Sequence, residues 1–100
     1  MLLSVIEGSN HTFFMYEGFR VSLNRDYMDE VPGWEFEIEH EALCISGTGE
    51  NTAAALWDLG QEFEFLWDHL VVNDPKMPLT PQAEARAQIL RDAVKEVIDL

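Results

Sequence analysis

One hundred residues, 47% of them hydrophobic, make a single domain with a real core, though one small enough that an oligomeric interface would help to stabilise it. Nineteen acidic side chains against six basic ones leave a net charge of −13. That argues against binding nucleic acid or an anionic membrane, since both require Lys and Arg to displace counterions; it favours basic partners and speeds their encounter.

The charge is uneven. No Lys or Arg lies between Arg25 and Lys76, a gap that holds thirteen carboxylates. The cations are Arg20, Arg25, Lys76, Arg86, Arg91 and Lys95, so the C-terminal segment is nearly balanced. Cys44 is the single cysteine, which rules out an intrachain disulfide and fits a reducing compartment. The opening "MLLSVIEGSN" has no basic n-region and only a short apolar run, unlike a signal peptide. No apolar stretch has the length of a membrane span. The expectation is a soluble cytoplasmic protein.

In chain order, residues 2–7 read as a strand ending at "EGSN", and residues 12–16 as a second, aromatic one. Glu17–Gly18 marks a turn. Phe19, Val21 and Leu23 then alternate with Arg20, Ser22 and Asn24 at the period of a strand. "NRDYMDEVPG" is a loop closed by Pro32–Gly33. Residues 34–40 give the clearest strand, with Trp34, Phe36 and Ile38 on one side and Glu35, Glu37 and Glu39 on the other. Glu41–Ala42 turns the chain, and residues 43–46 return with Leu43 and Ile45 inward. "GTGENT" breaks the strand, and Asn51 or Thr52 caps the next helix.

Leu56, Leu59, Phe63, Leu66 and Leu70 form one helical stripe, flanked by Trp57, Phe65, Trp67 and Val71. Gly60 costs this helix about 1 kcal/mol relative to alanine, which points to close approach of the helix to a sheet. "NDPKMPLTP" is a three-proline loop. Thr80 and Pro81 suit the N-cap and first position of a last helix lined by Ala83, Ala87, Leu90, Val94 and Val97. The expected architecture is α+β, with residues 1–100 as one domain. An antiparallel β-meander of three to four strands (1–46), wet on one side, packs against a long helix (51–72), and a C-terminal helix (81–99) follows.

The glutamate row is the first candidate for chemistry. Alternate carboxylates on a strand share a face at a spacing of roughly 7 Å, suited to paired acid/base work or a divalent cation. A solvated sheet face accounts for them without any site. A cationic partner covering the face would relieve their repulsion, so a basic partner is the better functional version. His11, His40, His69 and Cys44 form no CxxC or HxxxH pair; His40 and Cys44 flank one turn, but their parity puts them on different faces.

Cys44 lacks the electropositive surroundings of a reactive thiolate and reads as a small half-buried side chain. "GTGEN" has neither the lysine of a phosphate loop nor the G-x-G-x-x-G spacing. Ser4, Ser9, Ser22 and Ser46 lie in no nucleophile elbow. No catalytic residue, metal site or cofactor is expected, and the chain reads as a non-enzyme. Trp57, Phe65 and Trp67 cannot all face the sheet with the leucine stripe. They either pack between sheet and last helix or, through Trp57 or Phe65, form a dimer or partner interface.

A return strand followed by "ISGTGENTAAALWDLGQEFEFLW" resembles the small HicB-like antitoxin domain over residues 19–70. In that family a strand ends in a glycine-containing turn, a small polar residue caps the helix, and an Ala–Leu-type helix crosses a three-stranded sheet. Ile45, Gly47, Gly49, Thr52, Ala55 and Leu59 match that pattern. "VPGW" lies before the strand, where the family has a proline-and-glycine segment within the strand region. Residues 79–100, read as one helix, are too short and too balanced in charge for the family's DNA-binding module. The resemblance implies an acidic protein that sequesters a basic toxin, often an RNase, commonly as a dimer.

Charge and resemblance together lead to a non-enzymatic inhibitor of antitoxin or immunity type that blocks a basic nucleic-acid-processing protein. Asp29, Glu30, Glu35, Glu37, Glu39, Glu62 and Asp68 would supply charge, with Trp34 or Trp57 as the anchor. Three rivals remain: a phage-type nucleic-acid mimic directed at a host defence complex (anti-CRISPR or anti-restriction), a small enzyme or metal protein built on clustered carboxylates, and a dimeric scaffold with no inhibitory role.

Overall fold

In the computed structural model, which describes residues 1–72 and 79–100, the chain is α+β. Strands β1 (Leu2–Glu7) and β2 (His11–Arg20) are followed by β3 (Ser22–Arg25), β4 (Phe36–His40) and β5 (Ile45–Gly49). Helix α1 (Thr52–Trp67) continues into a π-helical turn at Asp68–Val72; α2 (Pro81–Ala93) and β6 (Val94–Asp99) complete the chain. The strands form two antiparallel sheets of three, ordered β1-β2-β6 and β3-β4-β5, instead of one N-terminal meander. Most of the expected "NDPKMPLTP" loop, residues 73–78, lies outside the described residues.

Glu17–Gly18 does not reverse the chain. Between the pairs Val5–Phe14 and Leu3–Phe19, β1 advances past Ser4 alone, while β2 takes up Met15, Tyr16, Glu17 and Gly18. The result is a wide bulge in which Gly18 has φ 87°, a conformation that carries little penalty only without a β-carbon. The period-two run beyond it is split between two sheets. Phe19, next to last in β2, faces inward, Val21 is buried at the junction, and β3 begins at Ser22.

In the second sheet the glycines continue the strand they were expected to break. Ile38 pairs with Gly47 and Phe36 with Gly49. A β-carbon on Gly47 would overlap backbone atoms of Ala55 and Leu59, and one on Gly49 would overlap Ala54. The glycines are thus the surface on which α1 lies. Asn51 caps the helix, its Oδ1 accepting from the Ala54 amide at 2.8 Å. Gly60 sits against the Glu7 carbonyl of β1, leaving no room for a side chain. One helix therefore crosses both sheets at backbone contact.

The core lies between α1 and the two sheets. Phe13, Ile38, Leu43, Leu59, Phe63 and Leu90 are fully buried. Phe13 meets Phe63 and Trp67 edge-on at ring-centre distances of 4.9 and 5.5 Å, and Phe63 meets Phe19 at 5.6 Å. Such pairs add about 0.5–1.5 kcal/mol each beyond the area they bury.

The C-terminal helix is shorter than the pattern implies. Thr80 and Pro81 begin it as expected, with the Thr80 hydroxyl accepting from the Ala83 amide. It ends at Ala93, and Val94, Val97 and Ile98 belong to β6, antiparallel to β2. β-Branched side chains lose rotamer freedom in a helix and fit a pleated sheet. Val94 and Val97 still point inward, so the same residues satisfy both patterns.

Candidate partner-binding surface

Glu35, Glu37 and Glu39, on and beside β4, do not form an open acidic face. Glu37 is only 8% exposed, and its Oε1 accepts from Asn24 Nδ2 on β3 at 2.7 Å. Glu35 and Glu39 are half-buried, and one Glu35 carboxylate oxygen is enclosed by protein. The alternation itself is correct: Phe36, Ile38 and His40 pair with Gly49, Gly47 and Ile45 on the side that α1 covers. The error lies in equating the far side with solvent.

Trp34 lies outside the strand, which begins at Phe36. It belongs to an ordered excursion between β3 and β4 that prolongs the hairpin. The Tyr27 amide donates to Glu35 O at 2.9 Å and the Met28 amide to Trp34 O at 3.0 Å. Asp26 (φ 57°) and Gly33 (φ 85°) take the left-handed conformation where the chain turns. At the tip Tyr27, Asp29, Glu30 and Trp34 are all exposed. Asp29, Glu30 and Trp34 are thus brought together as an accessible group; Tyr27 joins them, though its loop position gave no periodic signal.

A second group lies on α1. Trp57 is 53% and Phe65 57% exposed, on the side of the helix away from the sheets. Eight residues of helix place Phe65 about 12 Å along the axis and about 80° around it from Trp57, so the two rings stand apart along the outward half of α1 and together make a ridge. His69 extends it, stacked on Phe65 at 4.1 Å. Asp58 and Glu62 are exposed alongside, while Asp68 is half-buried at the start of the π turn. Asp58 Oδ2 also accepts from the Thr48 amide of edge strand β5 at 2.9 Å. The i, i+4 spacing of Phe65 and His69 was the available signal for the end of this ridge.

Glu64, His11 and His40 make contacts that tie elements of the fold together. Glu64, on α1, is buried beneath the β1–β2 turn, accepting from the Ser9 and Asn10 amides at 3.0 Å and facing His11 Nδ1 at 2.9 Å. Burial raises its pKa, but the His11 and backbone hydrogen bonds outweigh burial and hold it below the ordinary glutamate value. His11 Nε2 lies 3.2 Å from Asp99, tying β6 to the same knot. His40 stacks on Phe19 at 4.3 Å, and its Nδ1 accepts from the Leu43 amide at 3.2 Å. Burial lowers the His40 pKa against a smaller opposing backbone hydrogen bond.

Cys44 is exposed, not half-buried, because it takes φ 54° in the β4–β5 turn. Among the described residues no three His, Cys, Asp or Glu side chains converge as a metal site, and no helix is long and apolar enough to cross a membrane. No family model matches the chain, and neither a curated protein nor a solved structure matches it.

Proposed function

We propose that this chain is a non-enzymatic acidic binding protein of antitoxin or immunity type, which neutralises a basic nucleic-acid-processing protein by covering its cationic surface. The observation that carries the reading is the α1 ridge. Trp57 and Phe65 stand out from the outward half of the helix beside Asp58 and Glu62, on a chain of net charge −13. Aromatic anchors flanked by charge are what an interface uses for affinity and for steering, respectively. Each ring is about half exposed; covering the rest removes roughly 100 Å² from water, worth about 2–3 kcal/mol per ring.

A second copy on the ridge would set Asp58 and Glu62 against their own kind, whereas a basic partner pairs them. The nucleic-acid-mimic alternative requires a continuous exposed carboxylate row, and the burial of Glu37 interrupts it. The loop group of Asp29, Glu30 and Trp34 supplies a second contact region in this reading.

The test is functional. The partner is identified by cross-linking in cells of the source organism, then purified and assayed on nucleic acid with and without this chain. Stoichiometric inhibition, relieved by the double substitution W57A/F65A, is expected. A partner whose activity is unchanged by saturating amounts of the chain would overturn the reading.

A further inference from the structure

A groove of about 490 Å³ opens where the β2 bulge, the end of β4 and the second half of α2 meet. That volume lies within the range of small-molecule sites. Its floor is apolar: His40 stacked on Phe19, with Ile89 and Ala93 contributed by α2. The charged side chains lining it are Arg20, Glu17 and Asp92, all exposed. Gly18 is why Glu17 and Arg20 meet here, since its positive φ shapes the bulge that re-aims both.

The charges are arranged unusually. Among the described residues Arg20 makes no ion pair with Glu17 or Asp92, although the three line one groove. Asp92 Oδ1 instead accepts from Gln88 Nε2 on its own helix at 2.8 Å. His40 Nδ1 is occupied as an acceptor, which leaves Nε2 to carry the ring hydrogen. A simple cation would meet Arg20, and a simple anion would meet two carboxylates. A molecule carrying both charges satisfies all three.

We propose that this groove binds a small zwitterion of the α-amino acid class. The ligand carboxylate pairs with the Arg20 guanidinium, its ammonium with Asp92 and Glu17, and its side chain lies on Ile89, Ala93 and the His40 ring. The site is separate from the α1 ridge and does not depend on the inhibitory reading.

The experiment titrates free L-amino acids, one at a time at millimolar concentration, into the isotopically labelled protein and follows its amide NMR signals. At least one is expected to shift Gly18, His40 and Ala93 saturably. Its carboxamide, which lacks the anion, and its N-acetyl derivative, which lacks the cation, should each bind at least ~10-fold more weakly, a difference of about 1.4 kcal/mol. Arg20→Gln and Asp92→Asn, both at exposed positions, should weaken binding similarly while leaving distant signals in place. The absence of shifts with every amino acid would overturn the proposal. So would equal binding by either single-charge derivative, whatever the variants do.

Discussion

Replacing Glu64 by glutamine tests how the β1-β2-β6 sheet is held to α1. The Glu64 carboxylate accepts three hydrogen bonds at 2.9–3.0 Å, from two amides of the β1–β2 turn and from His11. Hydrogen bonds to a charged acceptor contribute about 1.5–3 kcal/mol each, and breaking a buried set costs about 3–5 kcal/mol in all. Glutamine keeps the shape and one acceptor oxygen but turns an NH2 toward donors, so the expected loss is about 2–4 kcal/mol. With urea slopes of about 1–3 kcal/mol/M, the midpoint should fall by roughly 1–2 M at pH 7.

The pH dependence provides a sharper check. Because the folded-state pKa of Glu64 is lowered, its contribution is complete above the ordinary glutamate value of about 4.3 and is lost as pH falls through the folded value. The gap between wild type and E64Q should therefore be constant near neutrality and close below about pH 4. Equal midpoints at pH 7, or a gap that widens on acidification, would show that the Glu64 carboxylate does not anchor the β1–β2 turn.

Gly60→Ala should destabilise the protein by about 1–3 kcal/mol, because overlap with the Glu7 carbonyl outweighs the helix propensity gained; calorimetry would read this as a lower Tm. Trp57→Ala and Phe65→Ala should each lower unfolding free energy by about 1–2 kcal/mol, less than for a fully buried aromatic, because about half of each side chain is exposed. His40 has a lowered folded-state pKa, so the unfolded chain takes up its proton first and stability should decline as pH falls below about 6.5. Denaturation of His40→Gln across that range should show a flatter slope, and an unchanged slope would assign the effect elsewhere.

The elements that could be read from sequence are those whose period matched their burial. The α1 stripe, its Asn51 cap, the Thr80–Pro81 start and the reason for Gly60 all follow from local spacing. Features set by partners distant in sequence did not. In residues 94–99 the β-branched Val94, Val97 and Ile98 favour a strand, but their helical spacing hid that signal, and β2 is needed to pair with it. Gly47 and Gly49 read as a break because glycine is a poor strand former, yet here their lack of side chains admits α1. Period two assigned Glu37 to the correct face; it could not show that Asn24 and the residues around it close that face. The Glu64–His11 knot spans 53 positions and has no local signature. At the candidate surface, Asp29, Glu30, Trp34, Trp57 and Glu62 are accessible as expected, while Glu35, Glu37, Glu39 and Asp68 are partly or largely withdrawn.

In the proposed reading the α1 ridge, rather than Glu35, Glu37 and Glu39 on and beside β4, engages a basic partner. The most direct test immobilises three forms of the protein and measures retention of the identified partner as salt is raised. These are wild type, W57A/F65A and E35Q/E37Q/E39Q. The account predicts that the aromatic double variant loses the partner at every salt concentration. The glutamine variant should retain it nearly as wild type does, with release shifted modestly to lower salt. Loss by the glutamine variant together with full retention by W57A/F65A would contradict the account and return the interface to the β4 face.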